Sequence, residues 1–454
     1  MIEIRPLRTR LVPMLAALLL ALSLLAPALA RAQGQKIIRD AEIEGIIRGY
    51  ATPLFQAAGL TPQAIDVYLI QDRSLNAFVA GGQNMFIHTG LLMRADDPLE
   101  VIGVIAHETG HITGGHIAAR IGQMEKAQTT ALVSYLLGIG AALATGRPEA
   151  AVAVISGGQD IALKGLLSYT RSQEQSADQT AVRLLDATGQ SPRGLLEFMD
   201  ILGDQEVLLA SSQDPYLRTH PLTQDRILFL EEAVARSPNA DAPPAPGLVA
   251  GHARVRAKLF GFLESPVRVF RLYPEMDDSV PARYARAIAY YRRPDLDKAL
   301  PLIDGLLAES PNDPFFHEMK GQMLFENGRI AEALPQYETA VGFLPDVPQL
   351  RLALAQVQIE LDDRKLDRDA LAHLDEVLRR EPGNAFAWQL SATAHGRLGD
   401  KGMAALALAE AALARGRASE AGAQAARAVH LLPKNSPGWL RAQDVANLAK
   451  QKKK

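Results

Sequence analysis

The sequence has no cysteine, so the protein can form no disulfide bond and has no thiol for lipid attachment. It also has no surplus of positive charge, because 48 Lys and Arg residues are balanced by 51 Asp and Glu residues. The formal net charge of −3 and the low aromatic content of 6% are those of an ordinary globular protein, and no nucleic-acid binding is expected. A chain of 454 residues is long enough for two or three domains.

The N-terminal segment has the pattern of a secretory signal peptide. Arginines within the first ten residues precede the mostly apolar stretch Leu11–Pro27, and small-x-small sites follow at 28–32. This order is typical of a cleavable signal, so we predict that residues 1–32 are a signal peptide cleaved near residues 30–32. Export without disulfide bonds fits a bacterial periplasm. The alternative is an uncleaved membrane anchor.

An HExxH pattern occupies residues 107–111, directly after the apolar run Val101–Ala106. Positions i and i+4 of a helix share one face, so His107 and His111 can bind one metal ion. Two neutral imidazoles suit Zn²⁺, and Glu108 would lie beside the metal as a general base that takes a proton from water. We predict one zinc ion per chain. The alternative is an ordinary helix with two surface histidines.

A catalytic zinc site needs a third protein ligand. A third histidine at the usual spacing would fall at position 117, which is Ile117. His116 is about half a helical turn around from His107, so we predict that it faces away and is structural. The better candidate is Glu174, which shares a helix face with Asp178. One carboxylate can bind zinc, and the other can hold a ligand histidine by its second nitrogen.

Short extended stretches precede the HExxH helix at Asp66–Ile70, Ala77–Val79 and Met85–His88, and the last two are predicted to form a hairpin. A helix is predicted over Asp40–Ala58. The small-residue apolar run Ala131–Ala144 is too short to span a bilayer. We interpret it as a buried helix pair over the active site, with a membrane-touching loop as the alternative.

The C-terminal part repeats itself. Proline-containing turns recur around Pro311, Pro345, Pro382 and Pro433 at intervals of 34, 37 and 51 residues. The first interval is the tetratricopeptide period, and the last corresponds to three helices. Such helix pairs bury their own apolar faces and leave a concave groove for extended peptides or partner proteins. The alternative is an unrelated helical bundle.

These patterns predict the domain organisation. The proline-rich stretch Ser237–Val249 has the composition of a hinge or boundary, and a helical piece follows at Ala253–Leu263. We predict a metallopeptidase domain at 33–238, a linker with a connecting helix at 239–277, and tetratricopeptide repeats at 278–449.

The motifs together resemble the gluzincin metallopeptidases related to the CAAX prenyl endopeptidases. The resemblance rests on the HExxH motif with Glu174 and Asp178, on Asn76–Leu92 and on His220–Arg226. With its signal peptide and repeats, the chain is similar to the periplasmic branch of that family. The resemblance implies a mainly α protein: a zincin-like α+β metallopeptidase domain with a small β-sheet, followed by an α-solenoid of tetratricopeptide repeats.

The resemblance also implies roles at the site. His107, His111 and Glu174 would be the zinc ligands, with Glu108 as the general base. Asp178 would orient a ligand histidine.

Further roles are implied around the site. The edge strand at Asn76 and Ala77 would bind substrate backbone by strand addition. His220 would be a regulatory fourth zinc ligand that silences the enzyme; the alternative is a turn histidine. Arg226 would be catalytic and stabilise the oxyanion. A structural ion pair of Arg226 with Asp225 or another carboxylate is the alternative.

The resulting prediction is a periplasmic zinc endopeptidase and chaperone in the quality control and assembly of outer-membrane proteins. Its partners would be misfolded or stalled outer-membrane proteins and, through the repeats, the β-barrel assembly machinery. The basic tail 450–454 allows at most peripheral membrane contact. The alternative function is a chaperone or adaptor with a mostly closed zinc site that rarely cleaves.

Overall fold

The computed structural model describes residues 36–206 and 215–451, except for position 82 and most positions between 120 and 169. The predicted signal peptide lies outside the described residues, as does most of the apolar run Ala131–Ala144. Over the described parts of the chain, no helix combines the length and the apolar character that crossing a membrane requires.

A small mixed sheet of four strands lies in the N-terminal half, in the order β1-β2-β4-β3. The strands are β1 (Ile37–Ile38), β2 (Val67–Ile70), β3 (Ala77–Ala80) and β4 (Asn84–His88). β2 and β4 are parallel, whereas β1 with β2 and β3 with β4 are antiparallel. The predicted hairpin is therefore confirmed, and β3 is an edge strand of this sheet.

Helices cover one face of the sheet. Those of the N-terminal half are α1 (Ala41–Ala57), α2 (Thr89–Arg94), α3 (Pro98–Thr113), α4 (170–187), α5 (Arg193–Glu206), α6 (Pro215–Thr219) and α7 (Gln224–Arg236). The core between them contains Ile87 of β4, Leu54 of α1, Ile105 of α3 and Leu185 of α4. Alternation along the strands turns Ile87 and Met85 into this core and leaves Phe86 on the other face, stacked between Tyr68 and Phe78.

Two helices connect the halves of the chain: α8 (Pro246–Leu263) and α9 (Pro266–Leu272). α8 begins at Pro246, seven residues before the predicted helical piece. Proline has no backbone N–H, and the first turn of a helix does not need one, so Pro246 can start the helix. Val255 and Leu259 of α8 belong to the core of the N-terminal half, whereas Ala257 belongs to the first core of the repeats. The segment predicted as a linker is thus partly a helix shared between two cores.

Ten helices form the repeats. They are α10 (Val280–Arg292), α11 (Leu296–Glu309), α12 (Pro314–Glu326), α13 (Ile330–Phe343), α14 (Pro348–Glu360), α15 (Arg364–Arg380), α16 (Ala385–Leu398), α17 (Lys401–Ala414), α18 (Ala418–Leu431) and α19 (Pro437–Gln451). Asp313 and Asn384 cap the helices that follow them, and proline occupies the first turn of α12 and α14. Three helices lie between Pro382 and Pro433, as the spacing predicts.

The amino end of α1 contacts the repeats directly. Ala41 is buried in the core cluster of α12 to α14. Arg39 pairs with Glu381 at 2.7 Å, and Gln349 donates a hydrogen bond to Glu44 at 2.7 Å. The start of the N-terminal half is therefore fixed against the repeats.

A buried ionic cluster lies beside this contact. Its carboxylates are Asp40, Glu42, Asp313 and Glu318, and its cations are Arg254 and Lys258. Lys258 Nζ lies 2.8 Å from Asp40, 3.1 Å from Glu42 and 3.6 Å from Glu318. Because α8 supplies both cations, the cluster connects α1, α8 and α12.

Candidate metal centre

The HExxH helix α3 is buried over almost its whole length. Asp97 and Glu100 form a capping box at its start, with Pro98 in the first turn. His107 and Glu108 expose at most 1% of their surface. This burial excludes the ordinary helix with two surface histidines.

Glycine allows helix α4 to approach α3 closely. A Cβ atom on Gly110, the fourth residue of the motif, would lie 2.8 Å from the carbonyl oxygen of Ala177. Without a side chain there, α4 packs directly on the motif. The approach brings Glu174 and Asp178, one turn apart on α4, against the two histidines of α3.

Four buried side chains converge at one point, with ligand atoms within 4.8 Å of one another: His107, His111, Glu174 and His220. His107 Nε2 lies 3.1 Å from His111 Nε2 and 3.3 Å from Glu174 Oε2. His220 Nδ1 lies 3.4 Å from His107 Nε2 and 3.0 Å from Glu174 Oε2. Residues from three separate segments, α3, α4 and the end of α6, thus form one cluster of nitrogen and oxygen donors.

The donor set fits a divalent metal ion of the size of zinc. With ligand bonds of about 2.0–2.1 Å, a tetrahedral zinc ion holds its ligand atoms roughly 3.3 Å apart, close to the separations between these side chains. Glu174 Oε1 is buried and has no hydrogen-bond partner among the described residues. A buried carboxylate oxygen without a donor is unfavourable unless a cation is bound there.

The pKa values of His107 and His111 are shifted in opposite directions. Burial lowers the pKa of His107, but hydrogen bonds and charge from Asp178 and Glu174 outweigh it and raise this pKa to about 9. Burial and the neighbouring His107 and His220 hold the pKa of His111 well below its usual value. Burial opposes ionisation of Glu174, yet His220 and His107 lower its pKa and keep it a carboxylate. The site therefore offers one anion and a neutral His111.

Asp178 lies behind His107. His107 Nδ1 is 2.8 Å from Asp178 Oδ1, which leaves Nε2 directed at the cluster. Arg226 donates to both oxygens of Asp178, and its Nη1 lies 3.2 Å from Glu174 Oε2. Burial opposes ionisation of Asp178, but Arg226 and His107 lower its pKa. Arg226 thus forms ion pairs with Asp178 and Glu174, as a structural role requires, and its catalytic role stays a prediction.

His220 closes the cluster from the opposite side. It follows α6, and the Tyr216 ring stacks on it with centroids 4.5 Å apart. While Nδ1 faces Glu174, Nε2 lies 3.4 Å from Oε1 of Glu108. His220 therefore contacts both the proposed ligand Glu174 and the proposed base Glu108. The sequence motifs do not identify Tyr216 as part of the site. An aromatic residue one helical turn before His220 could have indicated this stacking contact.

His116 is not among the four converging side chains, as its predicted structural role requires, but the prediction that it faces away is wrong. The helix ends at Thr113, and Gly115 adopts a φ of +62°, which interrupts the helical path. His116 consequently turns back, and its Nδ1 lies 3.0 Å from Nδ1 of His111. A continuous helix through Gly114 and Gly115 would have directed the ring elsewhere.

A cavity of about 260 Å³ lies in front of the cluster, beside β3. Its lining residues include Phe78, Val79, Glu108, His111 and Ile117. The edge strand β3 therefore borders the same space as the proposed base and a proposed ligand.

The register of β3 with β4 shows which backbone groups of β3 form no hydrogen bond to β4. Asn76 is buried, and its carbonyl accepts a hydrogen bond from the His88 N–H on β4. Because direction alternates along a strand, the backbone groups of Ala77 and Val79 point away from β4. Of the two residues predicted to bind substrate, Asn76 faces β4, and Ala77 faces away from it but is completely buried. Val79 has the same orientation as Ala77 and is partly exposed.

Comparison with protein-family models gives two matches. Residues 38–234 match peptidase family M48, and residues 269–314 and 318–385 match the tetratricopeptide repeat. The chain has an M48 metallopeptidase domain followed by tetratricopeptide repeats. The potential metal site lies within the M48 match.

Two curated relatives match most of the chain, and a third matches a smaller part of it. A protein of Yersinia pestis named beta-barrel assembly-enhancing protease is 26% identical and covers 78% of this chain and 72% of its own length. The protein of that name from Escherichia coli is 24% identical and covers 85% of this chain and 78% of its own length. A mitochondrial metalloendopeptidase of Schizosaccharomyces pombe is 27% identical but covers only 39% of this chain and 49% of its own length.

Proposed function

We propose that the protein is a zinc-dependent endopeptidase, with chaperone activity, that acts in the quality control and assembly of outer-membrane proteins in the bacterial periplasm. The convergence of His107, His111 and Glu174 in a buried cluster carries this proposal. These three side chains would bind the zinc ion. Water or substrate would take the fourth position when His220 is withdrawn.

When bound, a zinc ion supplies Lewis acidity, which activates water toward attack and polarises the scissile carbonyl. Glu108 is the general base, because it borders both the cluster and the cavity. It accepts the proton of the attacking water and then delivers it to the leaving amine. Asp178 keeps the Nδ1 proton of His107 in place, so that Nε2 offers its lone pair to the metal.

The substrate would bind in an extended conformation along β3. Val79 supplies outward-facing backbone N–H and C=O groups at a partly exposed position, and an added strand can pair with them. Ala77 has the same orientation but is buried. Phe78 and Ile117 give the adjoining cavity apolar walls. Such backbone recognition suits unfolded clients, because a folded β-barrel has no unpaired strand to offer.

The place in outer-membrane assembly is inferred from the relatives. Two of them, named beta-barrel assembly-enhancing proteases, match most of the chain, including its repeats. Tetratricopeptide stacks bind proteins in their grooves. The repeats would engage misfolded or stalled outer-membrane proteins or their assembly machinery and raise the effective concentration of a bound client near the zinc.

The decisive experiment compares the parent protein with Glu108→Gln. Both should bind one zinc ion per chain, measured by metal analysis of the purified protein. The variant should cleave casein about 10²- to 10⁴-fold more slowly, the usual contribution of a general base. Equal cleavage by the two proteins would show that Glu108 is not the base.

The second candidate function is a chaperone or adaptor that rarely cleaves. The observation that favours it is the position of His220 within the ligand cluster, where four protein ligands would leave no position for water. His220→Ala should raise the casein cleavage rate if His220 is a removable cap. A tenfold rise would correspond to a site that is open roughly one tenth of the time. An unchanged or lower rate would favour the adaptor.

A further inference from the structure

His111 has a partner on its far side. Its Nε2 points into the ligand cluster, whereas its Nδ1 lies 3.0 Å from Nδ1 of His116. The other histidine of the motif, His107, makes the corresponding contact with the carboxylate of Asp178. Each proposed histidine ligand is thus held through the nitrogen that faces away from the metal.

Proton placement in the His111–His116 contact follows from metal binding. A histidine that binds zinc through Nε2 must carry its proton on Nδ1. His111 Nδ1 is then the donor, and His116 Nδ1 can only accept. His116 therefore carries its own proton on Nε2.

Two further features fix His116. Its backbone carbonyl accepts a hydrogen bond of 3.0 Å from Nε2 of Gln173, the neighbour of Glu174 on α4. Its ring covers Gly114 so closely that a Cβ atom on that residue would lie 2.3 Å from His116 Nε2. The φ of Gly114 is −75°, which any residue can adopt, so it is the His116 ring that excludes a side chain there.

We propose that His116 is a positioning residue for the metal ligand His111 and that Gly114 has no side chain because the His116 ring occupies its place. This inference rests on the proposed zinc site. His111 donates to the neutral imidazole of His116, whereas His107 donates to the carboxylate of Asp178. His111 is therefore held without an additional buried anion behind it, whereas His107 has Asp178 behind it.

The test measures zinc affinity by chelator competition on the full-length protein. His116→Ala should weaken zinc binding about 10- to 100-fold, as expected for loss of a group that orients a ligand. His116→Asn keeps an acceptor near the position of Nδ1 and should recover most of that loss. Gly114→Ala displaces the ring and should weaken binding similarly, but should add nothing in the His116→Ala background. Gly45→Ala in α1, where a Cβ meets no atom within 4 Å, is the matched control.

Nitrogen-15 NMR of the zinc-loaded parent protein gives a second readout. His111 should be protonated on Nδ1 and His116 on Nε2. The inference is overturned if His116→Ala binds zinc as tightly as the parent, if the Gly114 and His116 losses add, or if His116 carries its proton on Nδ1. In each of these cases the proposed function is still supported if the parent binds zinc and the Glu108→Gln variant loses activity. A parent that binds no zinc overturns both.

Discussion

Arg226 donates two hydrogen bonds to Asp178, from Nε at 2.7 Å and from Nη2 at 2.9 Å, and both side chains are almost completely buried. Asp178 in turn contacts His107. The guanidinium therefore contacts the proposed metal site in two ways, through Asp178 behind His107 and directly at Glu174. It also donates to the carbonyls of His220 and Pro221.

Replacing Arg226 should reduce stability more than chemistry. In Arg226→Gln, Asp178 loses its buried counter-ion, and breaking such a pair costs about 3–5 kcal/mol. We expect the free energy of unfolding in urea to fall by about that amount. The turnover number of the folded fraction at low temperature should fall less than tenfold. A loss of 10² to 10³ with unchanged stability would instead indicate direct stabilisation of an oxyanion by Arg226.

The edge of β3 can be tested with a single backbone change. Val79→Pro removes one outward N–H, and proline is tolerated on an edge strand when its nitrogen faces away from the ladder. One hydrogen bond contributes about 0.5–1.5 kcal/mol, so kcat/KM for an unfolded substrate should fall roughly 2- to 13-fold.

Two controls accompany Val79→Pro. Val79→Ala removes the side chain from the cavity wall but keeps the N–H, so it isolates the backbone contribution. Phe78→Pro removes a ladder hydrogen bond to β4 and should lower the melting temperature, whereas Val79→Pro should not. Equal kinetics for Val79→Pro and Val79→Ala would argue against strand addition at this edge.

The ionic cluster between the halves predicts a pH-dependent stability. Burial raises the pKa of Glu318 to about 7, against an ordinary value of 4.5, because the attraction of Lys258 is offset by Asp40 and Glu42. A carboxyl group with a raised folded-state pKa contributes stability that is complete below about pH 4.5 and is lost as the pH rises through 7. The parent should therefore lose stability between about pH 4.5 and pH 7.

Glu318→Gln should flatten this pH dependence, because the amide does not ionise. The difference between parent and variant should approach at most about 3 kcal/mol across the transition. It is measured from melting temperatures or urea unfolding at each pH. Glu338→Gln, at an exposed position of the neighbouring helix α13, is the control and should retain the parent's profile. A Glu318→Gln variant with the parent's slope would show that another group titrates.

Local patterns in the sequence predict much of the fold. The alternation at Ala77–Val79 and Met85–His88 predicts the hairpin, and the spacing of Pro345 and Pro382 predicts the helix pairs of the repeats. These features depend on neighbouring residues, through turn formation and the burial of one face. The contact between α1 and the repeats could not be predicted. Arg39 and Glu381 are 342 residues apart, and no local sequence pattern relates them.

In the candidate site, too, local spacing predicts some features, whereas others depend on how distant helices pack. Helical spacing relates His107 to His111, and Glu174 to Asp178, so the structure brings together residues that the sequence already pairs. The error at His116 arose because one dihedral angle at Gly115 decides where the following side chain points. Burial of Arg226 against Asp178 likewise depends on how α7 packs against α4, which no spacing encodes.

The docking of the first helix against late repeats has a consequence for synthesis and export. The residues that pair with Arg39 and Glu44 emerge about 300 residues after them along the chain. The amino end of α1 therefore lacks its partners in the repeats until most of the repeats have been synthesised. A polypeptide interrupted before that point cannot form this junction, so truncated molecules would lack these contacts between the M48 domain and the repeats.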